Sequence, residues 1–162
     1  MILLLLIFSA SNISFSQEHN VHRVKYIFDP AANAAADLKN ALSIAGKIHK
    51  NVLILVGGDW SNSSVALNRE FSTGDLKPYV DEHYVYLRVN FTPEKKNADV
   101  LGPYDYPKNE GYPIMLILNS DGKKIVAKSC EEYKTAYHLP YDEHKILLAL
   151  HRWESTDTKE HE

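Results

Sequence analysis

Cysteine is almost absent from this sequence: Cys130 is the only one in 162 residues. A single thiol cannot form an intrachain disulfide, so the fold must be stable without covalent cross-links. A chain of this length buries enough apolar surface for one domain to fold without disulfides or metals. We therefore expect a single domain whose stability depends on a packed hydrophobic core.

An excess of charge of either sign is also missing. The chain has 18 Lys and Arg against 21 Asp and Glu, a net charge of −3, and 44% of its residues are hydrophobic. Binding to nucleic acid requires a basic surface that neutralises phosphates. The composition is therefore that of an ordinary globular protein, and nucleic acid is not expected as a partner.

Long hydrophobic runs are absent too, because the longest, Met1–Phe8, is too short to cross a bilayer as a helix. A run of this length followed by small polar residues is typical of a signal peptide. We predict a signal peptide at 1–16, a domain at 17–153 and a polar tail at 154–162. A buried N-terminal strand or helix is the alternative for the first segment. No cysteine follows at a lipoprotein acylation position, so we expect a periplasmic or secreted bacterial protein with no membrane span after signal cleavage.

Hydrophobic periodicity divides the rest of the chain into strands and helices. Short apolar runs bounded by turn residues indicate strands, and apolar residues three or four apart indicate a helix face. The predicted order is a strand at 24–28, a helix within 29–50, a strand at 51–56, a helix from 61 to 76, a strand at 84–89, a helical turn at 98–101, strands at 114–118 and 124–127, and a helix at 141–153.

The order of these elements indicates the sheet topology. Alternating strands and helices in the first half require parallel strands joined by crossovers, whereas the turn at Asn119–Gly122 predicts an antiparallel hairpin. The expected fold class is therefore α/β, with a mixed central β-sheet flanked by helices on both faces.

Two local motifs point to a family. The apolar run Val52–Val56 leads through Gly57-Gly58-Asp59 to Trp60-Ser61-Asn62-Ser63-Ser64, and Gly111-Tyr112-Pro113 precedes the strand at 114–118. Together with the element order, these motifs resemble the thioredoxin-like family, in its bacterial exported type, over residues 24 to 153. The resemblance implies a thioredoxin-like fold, a Trp-Cys-x-x-Cys motif at the first segment and a cis-proline at Pro113.

Serines stand where the family has its redox-active cysteines, at Ser61 and Ser64. A serine hydroxyl is not ionised near neutral pH and cannot form a disulfide, but it caps a helix N-terminus well. The resemblance therefore implies the fold without the redox chemistry, with no catalytic residue among the motif positions Trp60, Ser61, Asn62, Ser63 and Ser64. No cofactor is expected. A hydrolytic serine would need a positioned base, and only Asp59 is near in sequence.

Cys130 offers an alternative function, as a lone redox thiol. It follows the strand at 124–127 and lies beside Glu131 and Glu132, whose carboxylates disfavour a thiolate. We expect a partly buried, unreactive thiol at the end of a strand.

Histidine and tyrosine are the remaining residue types with chemical potential. No set of histidines has the spacing of a metal site, except loosely His144 and His151, so no metal is expected. The histidines are His19, His22, His49, His83, His138, His144, His151 and His161.

Tyrosines near Pro113 can line a peptide-binding surface or pack in the core. The tyrosines in question are Tyr79, Tyr84, Tyr86, Tyr104, Tyr106 and Tyr112. Asn62 and Asn90 match the N-glycosylation pattern, which matters only in a eukaryote.

These observations favour a non-catalytic binding or adaptor protein whose partner is a protein or an extended peptide. The expected binding residues are Trp60, Ser61, Tyr112 and Pro113. The alternative is a thiol-disulfide oxidoreductase or peroxide-handling protein acting through Cys130. A third possibility is a diverged paralogue with little function of its own.

Overall fold

The computed structural model describes residues 25–105, 109–135 and 141–154. The elements in chain order are α1 (Ala34–Ile48), β1 (Asn51–Gly57), α2 (Asn62–Ser72), α3 (Lys77–His83), β2 (Tyr84–Asn90), α4 (Ala98–Leu101), β3 (Ile114–Leu118), β4 (Lys124–Ser129) and α5 (Glu143–Arg152). Two short 3₁₀ turns, Gly102–Tyr104 and Cys130–Tyr133, follow α4 and β4.

The sheet has four strands in the order β2-β1-β3-β4. β1 pairs in parallel with β2 and antiparallel with β3, and β3 forms an antiparallel hairpin with β4. The parallel pair is joined by a helical crossover, as its geometry requires. The predicted mixed sheet is confirmed.

Burial of β1 on both faces creates two hydrophobic layers. Leu53 and Leu55 face a cluster that includes α2, α3 and α5, whereas Val52, Ile54 and Val56 face a cluster that includes α1 and α4. Successive side chains of a strand point to opposite faces, so a strand covered on both sides reads as a continuous apolar run. The predicted helices on both faces are confirmed.

The helix predicted within 29–50 is α1, and its start is set by a capping residue. The Asn33 side chain accepts a hydrogen bond from the Ala36 amide and caps α1. The residues before the cap form turns rather than a helix. Leu38, Ala41 and Ala45 are buried as the periodicity predicted, whereas Ile48 remains 45% exposed.

The strand predicted at 24–28 is wrong for its described part, since residues 25–28 are not in a strand. The amides of Ile27 and Phe28 donate to the two carboxylate oxygens of Asp59, both at 3.0 Å. These two donors therefore bond to a side chain instead of a neighbouring strand. Phe28 nevertheless packs in the core, where it is 1% exposed.

The helix predicted from 61 to 76 ends early, at Ser72, and a further helix that was not predicted, α3, follows at 77–83. The amides of Thr73 and Gly74 both donate to the Arg69 carbonyl, which ends α2. Pro78 lies in the first turn of α3, where its missing N–H is tolerated. The apolar periodicity continued across this break because Leu76 is also a core residue.

The C-terminal helix is shorter than the predicted 141–153. Asp142 caps α5, and its carboxylate accepts the Lys145 amide at 3.1 Å. Tyr141, outside the helix, forms an isolated bridge with Lys134. The end of α5 is fixed to the sheet by the side chain of Asn51, whose amide donates to the Trp153 carbonyl at 2.7 Å.

None of the helices in the described ranges is long and apolar enough to cross a membrane. The predicted signal peptide at 1–16 and most of the polar tail at 154–162 lie outside the described residues.

Candidate functional site

The segment that carries the serine motif connects the C-terminal end of β1 to the start of α2. Gly57 ends β1, and the Ser61 amide donates to the Gly58 carbonyl at 3.0 Å, which closes a tight turn. Ser61 has an extended backbone (φ −108°, ψ 108°) and is the residue that precedes the first helical residue, Asn62.

Ser61 acts as the N-cap of α2. Its Oγ accepts a hydrogen bond from the Ser64 amide at 3.2 Å, and its carbonyl accepts from the Val65 amide at 3.0 Å. The cap satisfies donors that would otherwise have no partner in the first turn. The hydroxyl of Ser61 thus has a structural role, because it caps the N-terminus of α2.

Ser64 is completely buried and lies against Gly57. A Cβ on Gly57 would lie 2.8 Å from Ser64 Cβ, so the close approach of the helix to the strand requires glycine there. Ser64 Oγ has no hydrogen-bond partner among the described residues. Asn62 is exposed, and the neighbouring Ser63 carbonyl accepts a hydrogen bond from the Tyr141 hydroxyl at 3.2 Å.

Three aromatic rings surround the motif and form what we call the aromatic cluster: Trp60, Phe91 and Tyr112. Trp60 meets Tyr112 edge-to-face at 5.7 Å between ring centroids, and Phe91 stacks on Tyr112 at 4.5 Å. The Trp60 indole N–H donates to the Phe91 carbonyl at 2.7 Å. Trp60 remains 55% exposed, so its ring is fixed and still available to a partner.

The peptide bond between Tyr112 and Pro113 is cis. Pro113 is buried, and its carbonyl accepts the Cys130 amide at 2.9 Å. The Phe91 amide donates to the Gly57 carbonyl at 2.6 Å. Three loops, at 57–61, 90–92 and 111–113, therefore meet around the aromatic cluster.

Asp59, the only acidic residue near the serines in sequence, is engaged elsewhere. Both of its oxygens accept the backbone amides of Ile27 and Phe28 described above. A carboxylate that holds two donors is poorly placed to take a proton from a serine. The geometry gives no support to Ser61 or Ser64 as a hydrolytic nucleophile.

We expect Asp59→Ala to lower the free energy of unfolding by about 2 kcal/mol, because two charge-assisted hydrogen bonds are lost in a partly solvated place. Urea unfolding monitored by circular dichroism measures this loss. Asp75→Ala, at another exposed aspartate, is the matched control and should change stability far less. Equal effects of the two substitutions would contradict the role assigned to Asp59.

Cys130 is fully buried, not partly buried as expected from the sequence. It begins the 3₁₀ turn directly after β4 and lies in the core cluster with Met115 and Tyr141. Burial raises the pKa of its thiol well above the usual range, and the charges of Glu132 and Glu131 act in the same direction. A buried thiol with so little thiolate is a poor nucleophile.

The described histidines do not form a metal site. No group of three or more histidine, cysteine or acidic side chains within the described ranges can hold a metal ion. His151 and His83 instead flank Glu154, at 3.2 and 3.5 Å. Four histidines lie outside the described residues: His19, His22, His138 and His161.

Of the tyrosines considered for binding, the structure places Tyr112 in the aromatic cluster. Tyr84 and Tyr86 pack with the core, and Tyr79 donates to Glu154 at 2.6 Å. Tyr104 packs against the α1 side of the sheet, and Tyr106 lies outside the described residues.

Asn90 is buried, so only Asn62 of the two glycosylation patterns is exposed.

The roles of two residues in this region were not predicted from the sequence. Phe91 stacks on Tyr112 and supplies the carbonyl for Trp60, and Asp59 holds the segment before α1. An aromatic residue directly after β2 was the available signal for Phe91. No local pattern indicated which loop it would contact.

A comparison with protein families identifies the family of this chain. Residues 33–120, more than half of the chain, match the sequence model of the family described as Thioredoxin-like. The chain therefore belongs to the thioredoxin-like family, and its fold is that of the disulfide oxidoreductases, although it has a single cysteine.

A solved structure shows the same fold. The chain is similar to a disulphide isomerase from Xylella fastidiosa Temecula1, with 23% identity and a TM-score of 0.60 over 64% of this chain and 79% of that one. It is also similar to a DsbH oxidoreductase, with 13% identity and a TM-score of 0.49 over 86% of this chain and 92% of that one. A third similar structure is the C-terminal domain of Neisseria meningitidis DsbD in its reduced form, with 20% identity and a TM-score of 0.49 over 70% of this chain and 92% of that one. No curated protein matches the sequence.

Proposed function

We propose that this protein is a non-catalytic binding module that holds an extended peptide or a partner protein on the face around Trp60, Ser61, Tyr112 and Pro113. The observation that carries the proposal is the combination of a structural serine cap with an exposed aromatic cluster. Ser61 Oγ caps the N-terminus of α2, while Trp60 exposes more than half of its surface to solvent.

The aromatic cluster has the properties of a binding hot spot. Tryptophan and tyrosine contribute large contact areas at low entropic cost, and they dominate many interfaces. The Trp60 N–H is already bonded to the Phe91 carbonyl, so the ring offers apolar surface to a partner. An apolar side chain of an extended peptide is the natural occupant.

Export belongs to the same proposal. The support is the apolar run Met1–Phe8 followed by small polar residues, which is typical of a signal peptide. Expression of the full chain in a Gram-negative host, followed by fractionation and N-terminal sequencing, tests it. We expect a periplasmic product that begins near Gln17. A cytoplasmic product with an intact N-terminus would contradict export.

Selection of displayed peptides on the immobilised protein, followed by calorimetry, tests the binding site. We expect Trp60→Ala to weaken binding of a selected peptide about 30-fold, in line with loss of an aromatic hot spot. Ile125→Ala is the matched control, because Ile125 is an exposed apolar residue on β4 and is not part of the aromatic cluster. Peptides that bind the Trp60→Ala protein as tightly as the parent would refute the assigned face.

The lone-thiol alternative gains no support from the burial of Cys130. A disulfide-reduction assay with insulin distinguishes the two functions, and we expect no turnover above background. Turnover that disappears in the Cys130→Ser variant would favour the oxidoreductase instead.

A further inference from the structure

A second concave surface lies away from the aromatic cluster, between β4 and α5. It is a groove of about 340 Å³, lined by residues of β4, of the 3₁₀ turn after it and of the outer face of α5. Leu148 is at its edge with 48% of its surface exposed, and Trp153 is only partly buried. The groove therefore has room for a ligand and exposes the apolar surface of Leu148 and Trp153.

The charges that line this groove are predominantly positive. Lys128, Lys145 and Arg152 face it, against the single carboxylate of Glu132. Lys128 pairs with Glu132 at 2.6 Å, and Lys145 lies 3.5 Å from Asp142. Arg152 also lines the groove, and none of its ion pairs falls among the described residues.

The cationic and apolar groups are arranged on one side of α5. Lys145, Leu148 and Arg152 are spaced three and four residues apart, which places them on the same helix face. Arg152 and Tyr133 both line the groove, so the guanidinium is placed beside it. An exposed leucine between two cations suits a ligand that is apolar in its centre and anionic at its ends.

We propose that this groove binds an acidic segment of a partner protein, with an apolar side chain on Leu148 and Trp153 and carboxylates beside Arg152 and Lys145. Charge complementarity selects this occupant, because three cationic side chains and one carboxylate line the groove. The interaction is separate from the binding proposed at the aromatic cluster and does not depend on it.

The protein's own tail is a less suitable occupant than a partner segment. Residues 155–162 contain acidic side chains but no apolar one, so they offer charges without an anchor for Leu148. A partner segment that contains both fits the groove more completely.

The test uses the full chain and a fluorescein-labelled peptide, Glu-Asp-Leu-Glu-Phe-Asp-Glu, in an anisotropy titration. We expect saturable binding that weakens as salt is added, because partly exposed charges are screened. Arg152→Glu should weaken binding at least about tenfold, and Leu148→Ser should also weaken it, through loss of apolar contact. Lys39→Glu makes the same charge change on an exposed position of α1, across the sheet, and should leave binding nearly unchanged.

Three results would overturn the proposal. One is a lack of binding by the full chain, the result expected if its own tail covers the groove. Another is an equal loss in the Arg152→Glu and Lys39→Glu proteins, since that would show a response to net charge alone. The third is a concentration-dependent dimer in sedimentation that Arg152→Glu abolishes, because the groove would then belong to a second copy of the chain. Trp60→Ala should not affect this titration, so failure here and failure at the aromatic cluster are distinguishable.

Discussion

Replacing Ser61 and Ser64 together by cysteine is expected to give a protein that forms and exchanges a disulfide at that pair. The first position is the N-cap of α2, where the positive end of the helix dipole stabilises a thiolate. The second lies one turn later, with its amide 3.2 Å from the side-chain oxygen at the first. The family scaffold is intact around both positions.

The expected change is large because the parent protein offers only one thiol, and that thiol is buried. A thiol with a pKa of about 7 is about half ionised at pH 7, roughly fifteenfold more than an ordinary thiol with a pKa of about 8.5. The pH dependence of alkylation in the Ser61→Cys single variant measures this shift. Mass spectrometry and insulin reduction report disulfide formation and exchange in the double variant.

A matched control separates geometry from the mere presence of two thiols. Ser61→Cys combined with Ser63→Cys places the second thiol on another side of the helix, and we expect little exchange from it. Both pairs are best compared with Cys130→Ala added, so that no third thiol interferes. A folded Ser61→Cys, Ser64→Cys protein that remains reduced under oxidising glutathione would contradict the alignment of the motif with the family.

Gly57→Ala is expected to produce the largest loss of stability among the single substitutions considered, about 3 kcal/mol. The added methyl group would lie 2.8 Å from Ser64 Cβ and closer still to its hydroxyl. Ser64 is completely buried, so it cannot swing into solvent to relieve the contact. Either α2 or β1 must shift, and the turn that carries Trp60 lies between them.

A second substitution shows whether this contact is the cause. Ser64→Gly removes both atoms that the methyl group meets, so Gly57→Ala with Ser64→Gly should be more stable than Gly57→Ala alone. Ser63→Gly imposes the same cost of glycine in a helix, about 1 kcal/mol, without relieving the contact, and is the control. Urea midpoints give the coupling energy. Equal effects of the two glycine substitutions would exclude a steric cause at Ser64.

Much of the fold could be predicted from the sequence because buried segments are rich in apolar residues. β1 and β3 are buried along their whole length, and both appear as uninterrupted apolar runs. The helix face of α1 appears as small and apolar residues three or four apart. In these elements the local pattern and the tertiary environment agree.

The errors occurred where a distant partner decides the local structure. The strand predicted at 24–28 has the right composition, but Asp59 takes two of its amides. The helix predicted to reach 76 ends at Ser72, but the apolar spacing extends to Leu76 because this residue is buried outside the helix. The sequence pattern therefore predicts which residues are buried more reliably than it predicts their backbone conformation.

The candidate site was predicted in its positions but not in its contacts. The order of Trp60, the two serines and Pro113 along the chain was sufficient to suggest that they meet. Phe91 was missed because its role depends on how the loop after β2 lies over Tyr112. The full burial of Cys130 likewise depends on side chains distant in sequence, among them Tyr141.

The three loops that meet at the aromatic cluster have a bearing on how this surface can change in evolution. Its rings are held by the Trp60 bond to the Phe91 carbonyl, by ring stacking and by backbone bonds from Phe91 and Cys130. None of these contacts uses the side chain of Ser61 or Ser64. Reactivity and shape are therefore encoded by different residues, so a lineage can lose its thiols in two mutations while retaining the shape of this surface.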